Sequence, residues 1–134
     1  MDDIFVGRLM SPDVVTVTAD TPVEDAAETL LTENIGSVVV TDEDGLLRGI
    51  LTSTDFVRIV AEKKPKDNTA VEEYMTSEVV TVSAQDPIRD AADRLITYDI
   101  HHLPVVDNEG HVIGMLSTTD LTAYISEVEQ PTPA

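Results

Sequence analysis

The chain has 134 residues, of which 26 are Asp or Glu and 8 are Lys or Arg, for a formal net charge of −18 at neutral pH. Hydrophobic residues make up 42%, enough for a buried core, and there is no cysteine, which excludes disulfides, Cys-ligated zinc and thiol catalysis. A field of this sign repels phosphate backbones, so nucleic-acid binding is disfavoured.

The start, Met1-Asp2-Asp3-Ile4, lacks the positive charge of a signal peptide, and no apolar run approaches the roughly 18 residues of a membrane span. A soluble, cytoplasmic protein is expected. The acids are spread along the chain rather than gathered in a tail, which points to an acidic folded surface. The composition resembles that of proteins from salt-loving organisms. At molar salt the Debye length falls to about 3 Å, and self-repulsion of this size becomes tolerable.

Val14–Thr18 is short and β-branched and reads as a strand. Thr21-Pro22 places an N-capping type of residue before a proline at the first helical position. A helix then runs to about Asn34, with Val23, Ala26, Ala27, Leu30 and Leu31 on one stripe. Ser37–Thr41 and Leu47–Leu51 read as strands joined by the turn Glu43-Asp44-Gly45, as a hairpin. A last helix follows Thr54-Asp55.

The same order then recurs. At a shift of 65 residues, Val6–Glu62 matches Val71–Glu127 at 22 of 57 positions without a gap. Val79–Ser83 falls on the first strand and Asp86-Pro87 on the helix start. Ile88, Ala91, Ala92, Leu95 and Ile96 fall on the helix stripe, and Leu103–Val106 and Val112–Leu116 on the hairpin. The second hairpin turn is Asn108-Glu109-Gly110, and Thr119-Asp120 precedes the last helix. Each half is therefore β-α-β-β-α, and the class is α/β (α+β) with small sheets. A half of this size has a marginal core, so the two halves are expected to bury apolar faces together. Residues 1–64 form the first repeat, 65–70 a linker, 71–128 the second repeat and 129–134 a frayed tail.

Catalytic patterns are sparse. The histidines are His101, His102 and His111, and none stands in the metalloprotease helix spacing. No Gly-x-Ser-x-Gly elbow, Walker loop or Gly-x-Gly-x-x-Gly fingerprint occurs. One constellation occurs twice. Gly49-Ile50-Leu51-Thr52-Ser53-Thr54-Asp55 corresponds to Gly114-Met115-Leu116-Ser117-Thr118-Thr119-Asp120. Hydroxyls beside the free N–H groups of a helix start suit an anion, and a carboxylate there can hold a pair of sugar hydroxyls. The same residues also suit ordinary helix capping, worth about 1 kcal/mol.

The tandem duplication, Leu103-Pro104-Val105-Val106-Asp107, and Gly-x-x-(Ser/Thr)-x-x-Asp in each half resemble a stand-alone pair of CBS domains, a Bateman module, over about residues 6–127. The resemblance implies two β-α-β-β-α repeats about a pseudo-two-fold axis, sheets together and helices outside, with two clefts that bind AMP, ADP, ATP or S-adenosylmethionine. It also implies a homodimer that regulates an unknown effector protein. By this resemblance one cleft takes Thr21, Ala26, Ile35 and Gly36 with Met115, Ser117, Thr119 and Asp120. The other takes Ala91, Ile100, His101 and His102 with Ile50, Thr52, Thr54 and Asp55.

Two departures from the family pattern matter. His102 stands where nucleotide-sensing members carry an Arg that contacts phosphate, and a neutral imidazole supplies less charge and fewer donors. Asp86 replaces Thr21, and His101-His102 replace Gly36-Ser37, so the cleft with Thr21 and Asp120 is expected to be the better nucleotide site. Arg8, Arg48, Arg58, Arg89 and Arg94 are candidate phosphate neutralisers, and Mg²⁺ could accompany ATP. No resident cofactor, catalytic residue or metal site is expected, and the effector would be another chain. The competing reading is a ligand-free dimerisation module.

Overall fold

The computed structural model describes residues 4–62 and 69–128. The linker expected at 65–70 is covered only at Thr69 and Ala70, and the tail at 129–134 lies outside the described residues. The elements run α1 (Val6–Leu9), β1 (Thr16–Val17), α2 (Val23–Glu33), β2 (Ser37–Thr41), β3 (Leu47–Thr52), α3 (Ser53–Glu62), a 3₁₀ turn (Val71–Glu73), α4 (Ile88–Thr97), β4 (His102–Val106), β5 (Val112–Ser117) and α5 (Thr118–Val128). The α/β class with small sheets is as expected, and α2, α3, α4 and α5 are the two helices of each repeat. The short α1 was not anticipated by the periodicity.

The chain divides into two compact units that cross the repeat boundaries. Of the described residues, one unit holds 14–62, 69–79 and 109–112, the other 4–13, 80–108 and 113–128. The crossing has a local cause. Thr76, from the start of the second repeat, pairs with Ile50 on β3 through reciprocal bonds of 3.0 and 2.9 Å. Its counterpart Ser11 pairs with Met115 on β5 at 2.8 and 2.9 Å. Each repeat's leading segment thus completes the unit built around the third strand of the other.

In the first unit the sheet order is β1-β2-β3, with β1 parallel and β3 antiparallel to β2. Central β2 is covered on both faces, and Val38, Val39 and Val40 are fully buried. Ala26, Leu30, Val38, Val40, Leu51 and Val71 form this core. The second unit centres on Val6, Val82, Ala91, Leu95, Leu103, Val105 and Leu116.

The strand expected at Val79–Ser83 is reduced to a single parallel bridge, Val82 to Val105. Its counterpart β1 is tied to β2 in part by the Val39 N–H, which donates to the Val15 carbonyl at 3.2 Å. The residue matching Val39 is Pro104, which has no N–H to give. The ladder shortens because one donor is missing.

The helix starts differ from expectation by one residue. Pro22 and Pro87 are themselves the N-caps, with extended backbone, and the helices begin at Val23 and Ile88. Thr21 and Asp86 close the preceding turn instead: Thr21 Oγ1 accepts from the Thr18 N–H at 3.1 Å, and Asp86 Oδ2 from the Ser83 N–H at 2.9 Å. At the far end of α2, Asn34 adopts the left-handed conformation (φ 54°) that ends many helices. The expected apolar stripes are also wider than the cores they serve. Leu31 is 84% exposed and Ile96 78%.

Candidate functional site

The two corners where a strand runs into a helix carry the repeated constellation. On the first, β3 ends at Thr52 and α3 starts at Ser53, so Asp55 lies in the first helical turn rather than before the helix. Its Oδ2 accepts from the Thr52 N–H at 2.7 Å and the Thr52 Oγ1 hydroxyl at 3.2 Å. Its Oδ1 accepts from Arg58 Nη1 at 3.3 Å. Asp55 is 5% exposed, the one buried charged residue among those described.

On the second corner, β5 ends at Ser117 and α5 starts at Thr118. Asp120 Oδ2 accepts from the Ser117 N–H at 2.9 Å and from its Oγ at 3.1 Å. The Ser117 Oγ in turn accepts from the Asp120 N–H at 3.2 Å. This reciprocal pair is a capping box. The capping role considered from the motif is therefore real at both corners, and it engages one carboxylate oxygen of each Asp. The exposed hydroxyls of Thr54 and Thr119 remain beside it.

The other expected site residues divide between the units. Gly36 lies against the first corner, its carbonyl accepting from the Ser53 N–H at 3.0 Å, and Ile35 precedes it half-buried. Thr21 sits on the turn before α2 in the same unit, while Ala26 is wholly buried and Ile50 nearly so. In the second unit the His101 carbonyl accepts from the Thr118 N–H at 3.0 Å. Met115 and Ile100 are half-buried there, and Ala91 is fully buried. The buried alanines can support a site by their small size but offer it no exposed surface.

His102 is half-buried, and its pKa is lowered from the ordinary 6.5. Burial is the largest cause and the neighbouring His101 the next, while the negative charge of Asp120 acts in the opposite direction. The imidazole is thus held neutral. Of the candidate cations, Arg58 pairs with Asp55. Arg94 pairs with Asp86 at 3.2 Å and donates to the Thr81 carbonyl at 2.8 Å. Among the described residues no group of three or more His, Asp or Glu could hold a metal ion. No described helix is long and apolar enough to cross a membrane.

Sequence reasoning missed an apolar groove of about 520 Å³ in the first unit, between α2 and α3. Val23, Leu30, Leu31, Phe56, Ile59 and Val60 contribute its walls, and of the expected site residues only Ile35 reaches it. The signal was present in Leu31 and Val60, apolar residues too far round their helices to face the core.

The glycines that open both motifs serve packing. A Cβ on Gly49 would meet the Met75 side chain and the Thr76 carbonyl, and one on Gly114 the Met10 side chain and the Ser11 carbonyl.

Comparison with known proteins gives a consistent answer. The model of the CBS domain family matches twice, at residues 6–62 and 71–127. A homoserine O-acetyltransferase of Methanohalobium evestigatum is 33% identical over 92% of this chain, but this chain spans only 24% of that protein. A CBS domain-containing protein of Dictyostelium discoideum is 30% identical, with 97% of both chains covered. The CBS domain pair of protein MJ0100, solved with 5′-methylthioadenosine and S-adenosyl-L-methionine, superposes with a TM-score of 0.85 at 28% identity, covering 93% of this chain and 98% of that one. CBSX2 of Arabidopsis thaliana, solved with AMP, gives 0.82 at 25% identity, covering 92% and 97%.

Proposed function

The chain belongs to the CBS domain family, and from that premise we propose that it is a regulatory module that binds an adenosine-bearing ligand and signals its occupancy to a partner protein. The observation that supports this most is the recurrence of one corner, Thr52–Asp55 and Ser117–Asp120, in a chain whose structural relatives were solved with AMP, 5′-methylthioadenosine and S-adenosyl-L-methionine. A carboxylate and hydroxyls meet there, and together they suit a ribose diol.

The proposed role is binding, not catalysis. Thr21, Ile35, Gly36, Ile50, Thr52, Thr54 and Asp55 are the ligand-facing candidates of the first unit. Ile100, His101, His102, Met115, Ser117, Thr119 and Asp120 are those of the second. Ala26 and Ala91 would act from beneath by leaving space. ATP would arrive with Mg²⁺. Ligand binding biases a partner only by the difference in its affinity for two arrangements of the module.

A homodimer is part of this reading. Leu31 and Ile96, equivalent in the two repeats, are the most exposed large apolar residues described, and Val60 and Ile125 repeat the pattern on the following helices. A face presented twice by a duplicated chain suits a second copy of that chain.

The deciding experiment is a thermal-shift titration in molar KCl with AMP, ADP, ATP and S-adenosylmethionine. A ligand confined to the native state at 100 times its Kd adds about 2.7 kcal/mol of stability. A selective rise for one compound supports the sensor. No rise for any, with the protein folded, leaves the capping bonds as the whole purpose of the corners and favours a dimerisation module.

A further inference from the structure

We infer that the two corners differ in ligand class and that Arg58 sets the difference: the Asp120 corner takes the ribose diol of an adenosine ligand with an uncharged tail, whereas the Asp55 corner takes a ligand whose anionic group draws Arg58 away from the carboxylate. This rests on the adenosine-binding reading and refines it.

Both carboxylates spend Oδ2 on the cap. They differ at Oδ1. On Asp55 it accepts from the Arg58 guanidinium at 3.3 Å. On Asp120 it has no hydrogen-bond partner among the described residues, because the position matching Arg58 is Ala123. Three residues along a helix is the spacing at which side chains meet, so the pair in α3 is local and its absence in α5 is a one-residue difference.

A vicinal diol donates hydrogen bonds and needs open carboxylate lone pairs to receive them. Asp120 has such an oxygen. At Asp55 the Arg58 guanidinium already occupies one Oδ1 lone pair, so a diol whose two hydroxyls both donate to that oxygen must displace it. That side chain is 57% exposed while the carboxylate is 7% exposed, so the arm can swing outward and the acid cannot follow. A phosphate gives the freed, planar guanidinium two oxygens to bind at once, which a neutral thioether does not. Among the described residues no Lys or Arg pairs with Asp120, and His102, which senses the Asp120 charge, stands where the first repeat has Ser37 and has its pKa lowered chiefly by burial.

The test is calorimetric titration of the full chain in molar KCl with 5′-methylthioadenosine and with AMP. The wild type should take one equivalent of 5′-methylthioadenosine, and Asp120→Asn, which keeps an acceptor for the cap, should lose it. Arg58→Met, a change at an exposed side chain, should bring in a second equivalent by strengthening that site about two- to fivefold. It should weaken the AMP bound at the Asp55 corner by a similar factor. Two equal equivalents of 5′-methylthioadenosine in the wild type, or a stoichiometry that Arg58→Met leaves unchanged, overturns the asymmetry while preserving the sensor. Silence toward both compounds, with the thermal midpoint intact, overturns both.

Discussion

Gly49 lies directly beneath Met75: a Cβ built on the glycine would stand 2.6 Å from the Met75 Sδ and 2.9 Å from the Thr76 carbonyl oxygen. The thioether could bend away, but the carbonyl is fixed by its bond from the Ile50 N–H. Gly49→Ala should therefore cost about 1–3 kcal/mol through overpacking. Gly114→Ala should cost less, since its nearest backbone atom, the Ser11 oxygen, is 3.2 Å away. Urea unfolding of both variants checks the order, and equal midpoints would refute it.

The buried Asp55 and the more open Asp120 should separate in stability as well as in binding. Asp55→Ala removes the acceptor for the Thr52 N–H and the partner of Arg58, and should cost about 1–2 kcal/mol. Asp120→Ala removes a capping box nearer the surface and should cost about 1 kcal/mol. Folding is thus not indifferent to either change, and binding assays on these variants need a stability control. Equal denaturation midpoints for the two would contradict the burial argument.

His102 makes stability depend on pH in a defined direction. Its folded pKa is lowered, so as pH falls below the ordinary 6.5 the unfolded chain takes up the proton before the folded one does. Its contribution is intact above that value and declines as pH drops from 6.5 toward the folded pKa. His102→Gln should flatten this part of a plot of thermal midpoint against pH. A slope unchanged in the variant assigns the effect elsewhere.

Net charge sets a different dependence. A formal −18 on 134 residues repels itself at low salt, and the repulsion is screened within about 3 Å at 1 M. The thermal midpoint should climb steadily from 0.1 to 2 M KCl. A flat or falling midpoint would show that the acids are accommodated without salt.

The proposed dimer has its own check. Leu31→Glu combined with Ile96→Glu alters two side chains that are 84% and 78% exposed, so folding should survive. Sedimentation in molar KCl should show the wild type as a dimer and the double variant as a monomer. A monomeric wild type at all concentrations removes the second copy from the reading.

Sequence alone determined much of this protein. The 65-residue duplication, the order of elements and the Gly-x-x-(Ser/Thr)-x-x-Asp corners are all legible, because periodicity, β-branching and turn chemistry act between near neighbours in the chain. So is the family, through those motifs together.

Tertiary structure decided the rest. That Met10-Ser11 pairs with the third strand of the second repeat, and Met75-Thr76 with that of the first, depends on contacts 104 and 26 residues apart in sequence, which no local pattern encodes. Pro104 is visible in the sequence, but its cost appears only when β1 shows which N–H is missing. Arg58 likewise reads as one of several surface cations until the helix brings it onto Oδ1 of Asp55 and leaves the matching oxygen of Asp120 open. A side chain's rotamer and hydrogen-bond partner are settled by packing, and that choice is what makes two nearly identical motifs chemically different.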